Sequence, residues 1–290
     1  MDIDRFWELI ERARAAAGPA ADQAVRDYDE PGDDPDRDYW NFENSDLHVA
    51  FATDLVPTAD TPRSRAIEQV NGFNGHVDFP ADADVADDDD EDDEDDESDE
   101  DDITDPLAAA LFDLLISLSA GEIAEFDNTF EDVRAQADRH ELALAATLIE
   151  HGFLGVDSFD DFKAGLVLLG REAFEAAVAN PDSLADNVVV REIAAAHDPR
   201  WIGRDDLVFV ASHAYATVTG EDEIGFYEFA EDHRAETGTP DTEPDESDAA
   251  DVDITNEAEV RRRLPRLAEL FYERSLTNRK RAMETLGLRD

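Results

Sequence analysis

Cysteine is absent from the 290 residues, lysine occurs only at Lys163 and Lys280, and no apolar run approaches the length of a membrane span. Without cysteine there is neither a disulfide nor a thiolate metal site, which suits a reducing cytoplasm. Crossing a bilayer takes roughly 20 consecutive apolar residues, so no membrane association is expected. Met1 is followed by Asp-Ile-Asp-Arg-Phe-Trp, an acidic and amphipathic start unlike a signal peptide, and the expected location is the cytoplasm. The seven histidines never fall at i, i+4 on a helix, so the two-histidine zinc arrangement is missing. A phosphate-cradling glycine loop and a Gly-x-Ser-x-Gly elbow are missing too. No cofactor is evident.

What the chain has in excess is negative charge. Seventy-six acidic side chains face 24 basic ones, for a formal net charge of −52. The run from Asp87 to Asp102 holds fifteen of those acids, and without it the net charge would still be about −37, so the acidity extends over the whole chain. Self-repulsion on this scale opposes compaction at low ionic strength. At about 1 M salt the Debye length falls to roughly 3 Å and the repulsion is screened. An Asp-rich, Lys-poor surface is what cytoplasmic proteins of salt-in halophiles present, and K+ is the expected counter-ion.

The hydrophobic pattern predicts helices nearly throughout. Asp2 caps a helix over 3–16, with Phe6, Trp7 and Ile10 on one face and Gly18-Pro19 as its stop. Ala20 to Asp105 carries little helical period. A short hairpin is expected within 47–79, from the apolar run Leu47 to Val56 and the Asn71-Gly72 and Asn74-Gly75 turns. The acidic stretch 82–104 is expected to be disordered. Helical pattern resumes with Asp105-Pro106, a cap followed by proline at the first helical position. Ser119-Ala-Gly-Glu122 is a capping box. Further helices are expected over about 140–151, 159–169, 171–179, 188–196, 205–219 and 222–236, punctuated by Gly152, Gly170, Asn180-Pro181 and Gly220. Thr237 to Asp253 reads as a polar linker. Asn256 caps a final helical segment, broken at Pro265, whose end is basic.

The fold class is therefore all-α, an irregular multi-helix bundle interrupted by a long disordered acidic insertion. Residues 1–16 and 106–236 form the bundle domain, 17–105 the insertion, 237–254 a linker and 255–290 a C-terminal helical segment.

The densest grouping of polar residues lies between His151 and Asp186. It contains Asp160-Asp161-Phe162, Gly170-Arg171-Glu172 and Pro181-Asp182-Ser183-Leu184-Ala185, and Phe6-Trp7 stands in the first helix. In this order and spacing these motifs resemble an uncharacterised domain family, numbered 4240 among domains of unknown function. The resemblance covers residues 1–16 and 106–220, with a weaker match at 262–271; it implies a fold neighbourhood and no reaction. Two features depart from the family pattern. Leu142-Ala-Leu144 stands where tryptophans are usual, and Gly152 to Ser158 replaces a Gly-Gly-Cys-Ser-Asp-Asp-like turn.

Asp157, Asp160 and Asp161, with His151 nearby and Glu172 beyond, could supply oxygens to a divalent cation. The competing assignment puts Asp160 and Asp161 in the first turn of a helix capped by Ser158, where the dipole stabilises negative charge. Arg171 and Glu172 could hold an anion and act as a general base; alternatively, Arg171 pairs with a carboxylate on a neighbouring helix. Lys163 belongs to the same candidate ligand or partner face. Phe6, Trp7, Phe159 and Phe162 could frame a pocket, though aromatics at helical spacing are mostly core. Trp40 and Trp201 could anchor a partner or plug the core edge.

Nine of the 24 cations lie between Arg261 and Arg289, with clusters at Arg261-Arg262-Arg263 and Arg279-Lys280-Arg281. The surrounding acidity and the salt sensitivity of phosphate contacts argue against nucleic acid, and favour docking onto the protein's own acidic surface. The function expected from all this is a non-enzymatic interaction or regulatory module with a protein partner. The alternative is a divalent-cation-dependent enzyme or small-ligand binder using the carboxylate block from Asp157 to Glu172.

Overall fold

Helix α1, Ile3–Ala17, starts where the Asp2 carboxylate accepts the backbone N–H of Arg5 at 2.9 Å. It ends at Gly18, whose φ of 60° turns the chain away. The computed structural model describes residues 1–26, 103, 105–152, 156–196, 200–204, 206–237 and 253–285. The hairpin expected within 47–79, the linker residues 238–252 and, apart from Ile103, the acidic stretch 82–104 lie outside the described residues, as does Trp40.

After α1 the chain makes a 3-10 turn, Gly18–Asp22, and a two-residue strand β1, Val25–Arg26. The helices that follow are α2 (Pro106–Leu115), α3 (Ala120–Arg134), α4 (His140–Ile149), α5 (Val156–Leu168), α6 (Arg171–Ala179) and, after a 3-10 turn at Pro181–Asp186, α7 (Val188–Ala195). Strand β2, Arg200–Trp201, precedes α8 (Asp206–Thr219), α9 (Glu223–Thr237), α10 (Glu257–Arg263) and α11 (Pro265–Thr285). The architecture is all-α. Among the described residues, one small sheet pairs β1 with β2 antiparallel, Val25 opposite Trp201.

Caps set most of these boundaries. Asp105 accepts the N–H groups of Leu107 and Ala108 at 2.8 and 2.9 Å, ahead of Pro106. Ser119 and Glu122 form the reciprocal capping box of α3. Asn187 caps α7 and Asn256 caps α10. Gly170, with φ of 94°, separates α5 from α6.

One boundary differs from the sequence expectation. Helix α5 begins at Val156, so Ser158 lies inside its first turn and is not its cap, and Asp160 and Asp161 fall in the second turn. The dipole argument for those two carboxylates therefore loses most of its force, because the effect fades beyond the first turn.

A continuous apolar core joins the described helices. Helix α1 lies against α2, α3 against α9, α8 against both α2 and α3, and α11 against α4. Phe6, Phe126, Phe159, Phe162, Phe174, Phe226 and Phe271 are all buried. Phe6 makes an edge contact with Trp7 (ring centroids 5.2 Å apart) and packs on Phe126, and Trp7 packs on Phe174 at 5.6 Å. Residues 18–26 and both C-terminal helices share this core, through Ala21, Ala24, Val260, Leu264, Leu267 and Phe271. Among the described residues, no helix is long and apolar enough to cross a membrane.

Candidate functional site

The block singled out by sequence spans α5 and α6, and its charged groups pair both within these helices and with other parts of the chain. Lys163 is 6 % exposed. Its Nζ lies 2.8 Å from Asp160 Oδ1 and 3.8 Å from Asp138 Oδ1, and 4.8 Å from the centroid of the Phe159 ring. A buried ammonium needs such partners, since an unpaired charge in a low-dielectric interior is costly. Phe159 and Phe162 stack at 6.3 Å beneath it as core side chains.

Arg171 points elsewhere. Its guanidinium donates to Asp4 of α1 and to Glu175, each at 2.7 Å, and its backbone N–H donates to Glu11 at 3.2 Å. Gly170 brings this about, because a Cβ there would stand 2.7 Å from Glu11 Oε1. Glu172 is exposed in the first turn of α6, and the side chain of Asp157 lies outside the described residues. Asp160 is thus committed to Lys163 while Arg171 is committed to α1. Among the described residues, no group of three or more His, Asp or Glu side chains is placed to hold a metal ion.

A denser polar junction, not legible in sequence, lies where the turn after α4 meets the segment 200–204. Glu150 accepts the N–H groups of Ile202 and Gly203 at 3.0 and 3.2 Å. His151 follows with φ of 66°, an uncommon backbone for a non-glycine residue. Its Nε2 lies 2.9 Å from the Arg200 carbonyl oxygen, and its ring meets Trp201 edge-on at 4.7 Å. Burial, with the nearby Arg274 charge, pushes the imidazole pKa down to about 3, against the hydrogen bond to Arg200, so the ring is neutral at physiological pH. Trp201 is itself half-buried.

Arg204 completes the junction. Its guanidinium pairs with Asp105 and donates to the Gln23 carbonyl at 2.8 Å, and its N–H reaches the Asp161 carbonyl at 3.4 Å. Asp105 in turn donates its own N–H to Asp206 at 2.8 Å. The α2 cap, through Arg204, thus ties together the segment before β1, α5 and α8.

The Pro181 to Ala185 motif has a structural task of its own. The Asp182 carboxylate accepts the backbone N–H groups of Arg266 and Leu267, each at 3.0 Å, and so caps α11 from a distant part of the chain. Arg266 also pairs with Asp186. Farther along α11, Arg274 donates to the carbonyls of Ile193 (3.1 Å) and Ala196 (3.3 Å) at the end of α7, and Ser275 donates to Leu148 at 2.7 Å. In the first basic cluster, Arg261 pairs with Glu257, Arg262 with Glu259, and Arg263 with Glu259 and with Glu141 of α4. No local pattern could have revealed the Asp182 cap, because its partners lie 84 and 85 positions away.

No curated protein and no solved structure matches the sequence. The stretch that holds the junction, the α5–α6 block and the Asp182 motif does have a counterpart: residues 89–217 match the model of the family described as a protein of unknown function, DUF4240, and the chain resembles that family over this stretch.

Proposed function

We propose that the protein is a non-enzymatic interaction or regulatory module working in a potassium-rich, high-salt cytoplasm. The observation that carries this reading is how the family-like polar residues are used. Lys163 and Asp160 lie against Asp138 and Phe159, Arg171 joins α6 to α1, and Asp182 caps α11. Each stiffens the bundle, which suits a scaffold that presents a fixed surface. Ile224 and Tyr227 on α9 are exposed, at 78 % and 51 %, and supply apolar contact points. The acidity of the chain supports a medium of molar salt, where screening removes its self-repulsion.

Native mass spectrometry of the protein isolated from its own cells at high KCl tests this. A module yields a stoichiometric complex with a defined protein. A tightly held small cofactor, together with turnover by the purified chain, overturns the reading.

The second reading, a cation-dependent enzyme or small-ligand binder, draws on Asp160 and Asp161 standing side by side in α5. It requires Asp160 to leave Lys163 when a cation arrives.

A further inference from the structure

A cleft of about 360 Å³ opens where the start of α1 meets α3 and the end of α9. That volume falls within the roughly 300–1,000 Å³ of small-molecule pockets. One wall comes from α3 and the turn after it, because Glu125, Thr129, Asp132 and Gln136 follow at steps of four, three and four residues and so share a face. Ile3 and Val133 add apolar surface to the lining. The charges on this wall are already balanced. Glu125 Oε2 lies 3.1 Å from the Met1 amino group, and Asp132 pairs with Arg234. What the wall still offers is hydrogen-bond acceptors. Glu125 Oε1 stands 3.7 Å from His233 Nε2, too far for a hydrogen bond. Thr129 gives its one hydroxyl proton to the Glu125 carbonyl at 2.7 Å, which leaves the lone pairs of its oxygen. Gln136 donates through Nε2 to the Asp132 carbonyl at 3.3 Å, which leaves its side-chain carbonyl oxygen. Asn128 holds the two sides together, donating to the Ala230 carbonyl at 3.3 Å and accepting from Arg234 at 3.1 Å.

We propose that this cleft is a binding site for a neutral, hydroxyl-rich small molecule of about monosaccharide size. A row of acceptors whose charges are already matched calls for O–H donors, and a polyol supplies several of them at close spacing. Its C–H face would lie on Ile3 and Val133. A cationic ligand suits the wall less well, because it would have to displace Met1 from Glu125 or Arg234 from Asp132. Its long-range attraction would also be screened at molar salt, whereas hydrogen bonds to an uncharged ligand are not. The site is separate from the α5–α6 block, and its existence does not depend on whether the protein is an interaction module.

Saturation-transfer NMR on the full-length protein tests the site, with D-glucose, myo-inositol and glycerol as neutral probes and 1,5-diaminopentane as the charged comparator. Glucose or inositol should bind with a dissociation constant of about 1–10 mM, nearly unchanged between about 1 and 3 M KCl. The double variant T129V/Q136L should weaken that binding about tenfold, and T129V alone by less, with circular dichroism confirming that each variant is folded. No binding of any neutral probe overturns the proposal. So does binding that the double variant leaves unchanged, which would place the ligand elsewhere, or a preference for the diamine that fades as salt is added.

Discussion

The carboxylate of Asp182 accepts the backbone N–H of Leu267 at 3.0 Å, joining a six-residue 3-10 turn to the start of the last helix. Asp182 is 6 % exposed, so the bond is sheltered from water. Substituting Asp182→Ala removes the cap from both Arg266 and Leu267 and should cost about 1–3 kcal/mol. Asp182→Asn keeps an acceptor oxygen and should cost less. Urea denaturation in high salt checks the order of the two variants.

Two glycines mark close backbone approaches. A Cβ on Gly165 would stand 1.9 Å from the Ile202 carbonyl oxygen, and one on Gly152 would stand 2.2 Å from that of Ser275. Gly152 also has φ of 96°, a conformation that other residues adopt at a cost. Alanine at either position should lower stability by at least about 1–3 kcal/mol, the usual range for overpacking. The control is Gly18→Ala, which meets open space and bears only the conformational penalty. Comparing the three melting temperatures separates packing from backbone strain.

His151 gives a pH signature of known sign. Its folded pKa lies far below the unfolded value near 6.5, so in the interval between them the unfolded chain binds the extra proton. Stability from this residue is full above about pH 6.5 and falls as pH drops toward 3, by at most about 1.4 kcal/mol per pH unit. Asparagine tolerates the left-handed backbone here and does not titrate. The gap in unfolding free energy between wild type and His151→Asn should therefore shift against the wild type on acidification.

Ion pairs of different burial should behave differently. Arg204 and Asp105 are both buried, and removing one partner by Arg204→Met should cost about 3–5 kcal/mol, because a carboxylate is left behind unpaired. Arg171 and Asp4 form an exposed pair, and a double-mutant cycle on them should give about 0.2–1 kcal/mol, shrinking as salt is added.

Much of the bundle is legible in the sequence because helix boundaries are local. Asp2, Asp105-Pro106, the Ser119/Glu122 box, Gly170 and Asn256 each act within four residues, and the apolar periodicity places Phe6, Phe159 and Phe162 in the core. The start of α5 misleads, since Ser158 followed by Phe-Asp-Asp looks like a cap yet lies inside a helix that begins two residues earlier. The junction was hidden for a different reason. Glu150 and Arg204 reach partners 52 and 99 positions away, and Asp105, beyond its local cap, reaches Asp206 101 positions away, and nothing around each residue advertises the pairing. Within the polar block the contacts are again partly non-local: Asp160 pairs with Lys163 three residues on, whereas Arg171 reaches Asp4 of α1 and Asp182 reaches the start of α11.

The proposed function rests on Asp160 and its neighbours serving the fold in place of a ligand, Asp160 by pairing with Lys163 and Arg171 by joining α6 to α1. A thermal-shift screen of divalent cations and common metabolites at about 2–3 M KCl, a salt level set by the need for screening, tests it on wild type and on Asp160→Asn/Asp161→Asn side by side. The account predicts a lower midpoint for the variant, from the weakened Lys163 pair, and no ligand shift that the substitutions abolish. A ligand at 100 times its dissociation constant should add roughly 2.7 kcal/mol, so a shift in wild type that vanishes in the variant would contradict the account and make the block a binding site.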